Sequence, residues 1–417
     1  MPLSVVIPAY GQAHSLDLTL ASLTRQTLDR DRYEIVLVDD GGESLAAVAD
    51  RYAGLLDIHY LRNPVNLGRA RARNRGIAAA RHDDLLLLDA DSYCAPGLLE
   101  RHHRGGDREA GGVLLGRRLE PDWSSLARLL AGRVPADHTP IEEDPRYGLG
   151  FRPETFAASR TPWLYAYCHN MSVSRKLLDA VGGFDEEFVR WGYEDTELAY
   201  RIFRYHGRAS GHFRYADDAL TYHLPHFRNW RVDWAGAQGY VPYIKDRYRH
   251  FDVELLGAPP LVVAQAVPHY ERCLDLLRKA GPATGAEVAA VLGEGDRDLW
   301  FGLRVGSPGR PRCDHAAEAD EENAHLLGLS TPFPDGAFDR VVNVDLWRML
   351  NAADLSALLL EGLRLAGEVV LVWSRSVGEP FVADLPYVAA LLRPHCRLTV
   401  EEDDGRGFAL LRCRAAP

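Results

Sequence analysis

The stretch LLLLDAD, residues 85–91, decides how the rest of the chain is read. Four consecutive leucines suit a strand buried on both faces of a sheet. The run then breaks into Asp89-Ala90-Asp91. Residues two apart on an extended strand project to one side, so the two carboxylates are predicted to share a face. Such a pair suits a hard divalent cation that keeps some of its waters and shares phosphate oxygens. A DxD triplet alone is equally well explained by a solvated turn. Its place at the end of an all-leucine run favours a functional reading.

Working upstream, SVVIPAY (4–10) reads as a strand that meets a loop at Pro8. Ser15 is expected to cap a helix whose Leu16, Leu20 and Leu23 form one apolar face. EIVLVDD (34–40) and IHYL (58–61) read as further strands, and NLGRARARNRG (66–76) leads into a helix. Strands alternating with helices imply an α/β fold with a mostly parallel sheet, whose ligands bind at the carboxyl ends of the strands. Tyr10, Asp39, Asp40, Asp89 and Asp91 fall at those ends. Clustered acids are costly unless a cation or hydrogen-bond donors offset them. The helix start after Asn66-Leu67-Gly68 favours an anion. One of the arginines at 69, 71, 73 and 75 is expected near a nucleotide, and the others on solvated faces.

Downstream, WGYEDTEL (191–198) gathers Glu194, Asp195 and Glu197 behind an aromatic turn. Acids at a helix start face the favourable end of the dipole. A catalytic carboxylate there would also be well oriented, so the two readings are compatible.

Bulk properties bound the function. The 417 residues suit two domains, and 47% hydrophobic with 26% charged residues is a globular composition. A net charge of −11 argues against a general nucleic-acid binder. No apolar run approaches the roughly 20 residues of a membrane helix, so no integral membrane segment is expected. The six cysteines include no CxxC pair, and the opening residues read as a strand instead of a signal peptide. A cytoplasmic location is the resulting expectation.

VVIPAY, VLVDDGG, NLGRARARNRG, LLLLDADS, HNMSVSRKLLDAVGGFDEEFVRWGYEDTELAYRI and a later TYH occur in this order. Together they resemble the motifs of family 2 glycosyltransferases over roughly residues 1–230. The resemblance implies a GT-A fold and inverting transfer from a nucleotide-diphosphate sugar. The segment around 182–198 is most similar to chondroitin, hyaluronan and galactosyl-type transferases, which implies a UDP-sugar. Carried over, Tyr10 and Asp40 would contact the base with Asp39 beside them, Arg73 would support the nucleotide, and Asp89 would reach the ribose. Pro8, Asn66, Gly68 and Ala90 complete the implied nucleotide side. Asp91 and His223 would hold a divalent cation, Mn2+ or Mg2+, with His226 the competing ligand. Asp195 would be the general base and Glu194 its catalytic neighbour. Trp191, Gly192, Asn170 and His169 would line the sugar and acceptor pocket. This sequence departs from the family pattern at Gly11, His169 and Tyr193. Residues 120–165, rich in Pro, Asp, Arg and Gly, are expected to form a loop that helps select the acceptor.

The motifs stop near residue 255. The expected division is a GT-A domain over 1–255, a helical connector over 256–282 and a smaller Rossmann-like α/β domain over 283–417. TPFPDGAFDRVVNVDLW and LRLAGEVVLV resemble class I methyltransferases. The nearest match to their cofactor loop is Gly293-Glu294-Gly295-Asp296, which lacks a third glycine. A cofactor-free accessory domain that pairs subunits as a homodimer or recruits the acceptor is therefore preferred to a bifunctional transferase and methyltransferase. The whole chain reads as a metal-dependent glycosyltransferase acting on a soluble natural product, peptide or oligosaccharide. A non-catalytic scaffold of the same fold is the alternative.

Overall fold

In the computed structural model, residues 2–415 are described except 106–110, 123–125, 129–130, 132–142, 228, 294, 307–309, 380 and 382–383. The chain divides into two compact units, residues 1–240 and 241–417. Among the described residues, no helix is long and apolar enough to cross a membrane.

The first unit is built on β1 (Leu3–Ala9), β2 (Tyr33–Asp39), β3 (Ile58–Arg62), β4 (Asp84–Leu88), β5 (Ser92–Cys94), β6 (Val113–Leu119), β7 (Asn170–Ser174) and β8 (Phe213–His223). They form one sheet in the order β3-β2-β1-β4-β7-β6-β8-β5. The first four strands are parallel, β7 is antiparallel to both β4 and β6, and β6 runs parallel to β8. The helix Ala13–Leu23 buries the expected stripe, Leu16, Leu20 and Leu23, against Val5, Ile7, Leu37 and Leu86. Its N-cap is Gln12 and not Ser15, which lies inside the first turn. Burial of the leucine stripe fixes this helix, and no side-chain cap is made.

The leucine run is a fully buried strand, as its composition requires, but β4 ends at Leu88. Asp89 follows the last ladder residue, and Ala90 and Asp91 form a turn into β5. The period-two argument therefore does not apply to the Asp-Ala-Asp triplet, because its residues are not on an extended strand.

The described part of the 120–165 segment is packed instead of irregular. Asp144 and Arg146 are fully buried and paired at 2.5 Å. Arg146 donates to the carbonyls of Gly116 and Tyr165, and Asp144 accepts from the Arg118 amide of β6. Phe151 packs among Tyr147, Phe156, Tyr165 and Tyr215. Much of the expected acceptor loop, including 132–142, lies outside the described residues.

The second unit carries β9 (Asp298–Gly302), β10 (Arg312–Asp314), β11 (Arg340–Val344), β12 (Glu368–Ser374), β13 (Arg397–Glu401) and β14 (Phe408–Arg414), in the order β10-β9-β11-β12-β14-β13. The first four strands are parallel, and β14 is antiparallel to β12 and β13. Both units are thus mixed α/β, as the sequence implies. One local reading changes: Gly285–Leu292 is a helix with a Thr284–Glu287 capping box, so Gly293 and Gly295 precede the first strand of this sheet. The loop that follows β9 begins at Leu303.

Candidate functional site

The site begins where β1 and β4 part. Strand β1 pairs with β2 as far as Ala9–Asp39, but with β4 only to Val6–Leu87. Pro8 lies beyond the last β4 partner, so on that side no ladder is interrupted by its missing N–H. Neighbouring strands lead away in opposite directions here, which opens a crevice at the carboxyl ends. A cleft of about 860 Å3 fills that position, lined among others by Tyr10, Asp40, Asn66, Asp89, Asp91 and Trp191. Pro8, Gly68 and Ala90 also line it.

The β2 acids shape the cleft wall. Asp40 accepts from Asn63 Nδ2 and the amides of Leu67 and Gly68, at 2.6, 3.0 and 2.9 Å. It thereby fixes the loop that enters the helix Arg69–Ala79. Gly68 has φ +92°, and a Cβ there would lie 2.6 Å from the Val189 carbonyl oxygen, so only glycine fits. Asp39 is fully buried, accepts from Leu45 N, Tyr60 Oη and Arg62 Nη1, and does not line the cleft.

Arg73 is the one arginine of its helix that is buried. Its Nη1 reaches Asp195 at 2.9 Å and Glu194 at 3.2 Å, and its Nη2 reaches Asp89 at 3.0 Å. The structure thus joins Arg73 to carboxylates and does not put it on the cleft surface. Asp195 also accepts from the Cys168 amide at 3.0 Å. Burial raises its pKa most, Arg73 opposes this, and Glu194 and Asp89 add to it, leaving the carboxyl pushed up to about 6. Glu194 is buried, accepts from Gly192 N, and lies 3.7 Å from Arg69. Tyr193 caps the acid helix in a left-handed conformation, φ 65°.

Across the strand end lies a second cluster. Ser92 of β5 pairs with His223 of β8, which brings Asp91 beside the histidine. Asp91 Oδ2 lies 3.6 Å from His223 Nε2 and 3.3 Å from His226 Nδ1. One ligand atom from each of the three residues falls within 4.8 Å of the other two. Burial alone would raise the Asp91 pKa, but the two histidines and Arg118 hold it well below the usual carboxylate range. Burial lowers the His223 pKa, and Asp91 and Glu120 more than offset this. Glu120 accepts from His223 Nδ1 at 2.7 Å, which leaves Nε2 facing Asp91.

Three expected pocket residues do not line the cleft, and one of them, Gly192, packs against Ala237. Asn170 is fully buried and tied to His102, Ala219 and Arg117, so its side chain holds β6, β7 and β8 together away from the cleft. His169 is buried and does not line the cleft, and burial holds its pKa well below the usual histidine range. Conversely, Glu120, Gln12, Trp230 and Asp233 were not singled out from the sequence. Gln12 donates to Asp91 at 3.4 Å, and Asp233 lines the cleft.

The sequence profile of Glycosyl transferase family 2 matches residues 4–182, and that of the N-terminal domain of galactosyltransferase matches 163–226. Residues 4–182 are thus identified with glycosyltransferase family 2. Among its family 2 relatives, the chondroitin synthase of Pasteurella multocida is 31% identical over 53% of this chain and 24% of its own. The chain spans less than half the length of the chondroitin and hyaluronan synthases it matches. The validoxylamine A glucosyltransferase of Streptomyces hygroscopicus subsp. jinggangensis is 29% identical over 88% of this chain and 96% of its own. Among solved structures, a fragment of S. aureus TarS in complex with UDP-GlcNAc covers 59% of this chain and 66% of its own, with 18% identity and a TM-score of 0.44. The assignment to family 2 rests on the sequence matches.

Proposed function

We propose that this chain is an inverting, cation-dependent glycosyltransferase that moves a sugar from a UDP-sugar to a soluble acceptor. The observation that carries the proposal is the convergence of Asp91, His223 and His226 at a cleft also lined by Asp89 and Asp40. The donor set fits a divalent cation: one carboxylate and two imidazoles suit Mn2+ better than Mg2+. Asp91 Oδ1 is buried without a hydrogen-bond partner among the described residues, which leaves a lone-pair donor for it. A divalent cation held there supplies positive charge where a leaving diphosphate develops negative charge.

The chain's own residues do the rest. Asp195 takes the proton of the attacking acceptor group, and a pKa of about 6 leaves it ionised at neutral pH yet more basic than an ordinary aspartate. Arg73 locks Asp195, Glu194 and Asp89 in one arrangement, so the base is oriented without depending on solvent. Tyr10, Asn66, Gly68 and Asp89 form the nucleotide side of the cleft, and Trp191 the apolar wall on the sugar side.

The UDP assignment follows the likeness of the 182–198 segment to chondroitin- and galactosyl-type transferases. The match over 96% of a validoxylamine A glucosyltransferase supports a soluble acceptor over polymer synthesis. The second unit is read as a non-catalytic accessory domain. Incubation with UDP-glucose, UDP-galactose, UDP-GlcNAc or GDP-mannose, in Mn2+ or EDTA, tests the proposal. Nucleotide release is expected from a UDP-sugar in Mn2+ alone. Equal release in EDTA, or release from GDP-mannose only, would overturn it.

A further inference from the structure

The cleft has a wall that none of the family motifs names. It is the helix Trp230–Gln238, capped by Asn229. Asn229, Val232, Asp233 and Gly236 line the cleft, the spacing of one helix face. Trp230 and Trp234, one turn apart, border that face and are 59% and 49% exposed. Two half-exposed indoles on so short a helix are unusual for a solvated surface and mark a contact site.

The helix is seated on the Trp191-Gly192 turn. A Cβ at Gly192 would lie 2.4 Å from the Cβ of Ala237, and Gly192 has φ +113°. Glycine is therefore needed twice over, for the backbone conformation and for the close approach. This seating brings the Trp230 ring to 5.8 Å from Trp191 with the planes 86° apart. The Trp230 ring thus meets edge-on the cleft-lining Trp191, which stands directly before the acid helix. In the same cleft lining, the Asp233 carboxylate has no hydrogen-bond or ion-pair partner among the described residues.

These features select a ligand class. An indole face packs against a patch of C–H groups, and an unpartnered carboxylate accepts from hydroxyls. A polyhydroxylated six-membered ring offers both, with axial C–H groups on one face and hydroxyls around the rim. We propose that Trp191, Trp230 and Asp233 form the acceptor subsite, and that the acceptor presents a pyranose or cyclitol ring there. The inference rests on the glycosyl-transfer reading and deepens it by naming the acceptor class. Trp230 and Asp233 are then specificity-determining residues that act on the acceptor and not on the donor.

The test is a calorimetric titration of the full chain, first with UDP in Mn2+ and then, with both present, with a panel of methyl hexopyranosides, myo-inositol and a serine-containing peptide. At least one ring polyol is expected to bind saturably. W230A and D233N are each expected to weaken that binding about tenfold or more while leaving UDP binding unchanged. W230F should retain most of it, which separates loss of the ring from loss of the fold. Binding of the peptide alone, binding of no ring polyol by a UDP-loaded chain, or full affinity in W230A would overturn the subsite. Failure of the first titration, with UDP, would instead count against the donor reading.

Discussion

The two sheets of this protein end their strands in the same way and use those ends differently. In the first unit, Asp40, Asp89 and Asp91, just past the strand ends, line a cleft, whereas Asp39, the last residue of β2, is consumed internally. In the second, the corresponding acids are consumed internally. Asp314 at the end of β10 accepts from the amides of Arg304, Val305 and Ala316 and so occupies the loop that follows β9. Asp345, just past β11, is fully buried against Ser374 and Arg348. The Arg304 carbonyl in that loop also accepts from the Gly285 amide at the start of the preceding helix. An acid at a strand end is thus evidence of a ligand only when it faces open space, as Asp40, Asp89 and Asp91 do and Asp39, Asp314 and Asp345 do not. The first sheet has three such acids on a cleft beside one, Asp39, that closes the chain on itself, and Asp314 and Asp345 of the second sheet only close it.

The most severe way to break this contrast is Asp195→Asn. If the first unit's acids serve chemistry, transfer falls by about 10²–10⁴-fold, the usual worth of a general base, while UDP binding persists. Rate and nucleotide titration on the same preparation check this. Next comes Asp345→Ala in the second unit. Removing one partner of a buried pair costs about 3–5 kcal/mol of stability, read from urea unfolding. Activity per folded molecule should not change, and an equal loss of transfer would erase the distinction between the sheets.

A smaller effect is the pH profile. As the proposed base, Asp195 would act in its ionised form, and burial pushes its pKa up to about 6. Transfer should therefore rise with pH through about 6 and fall roughly tenfold for each unit below it. A flat profile from pH 5 to 8, with nucleotide still bound, would remove Asp195 from the role. The smallest expected effect is none: S-adenosylmethionine should leave the melting temperature unshifted, because a ligand stabilises only in proportion to its affinity. A saturable shift would reopen the second sheet's strand ends as a site.

Much of this was legible in the sequence because it depends on short-range patterns. Apolar runs gave the strands, and their acidic ends located the crevice. The TYH segment put His223 at the end of a strand. What the sequence could not resolve depends on where strands stop and which strands pair. Whether Asp89 and Asp91 share a face turned on β4 ending one residue before the triplet. The pairing of β5 with β8 brings both His223 and His226 to Asp91, where the sequence offered them as competitors. Glu120 reaches His223 across 103 residues, and the Trp230 helix meets Trp191 through a glycine contact; neither leaves a local mark. One missed feature was in plain view: Thr284 and Glu287, three apart, spell a capping box, which makes 285–292 a helix and moves the glycines after it ahead of β9.

The most direct test is the affinity of UDP for the wild-type chain and for Asp91→Asn, each measured by calorimetry in Mn2+ and in EDTA. If Asp91 grips a cation beside the diphosphate, wild type binds UDP much more tightly in Mn2+, and the variant loses that gain while staying folded. UDP affinity that is the same in Mn2+ and EDTA, or a variant that keeps the full gain, would contradict the account.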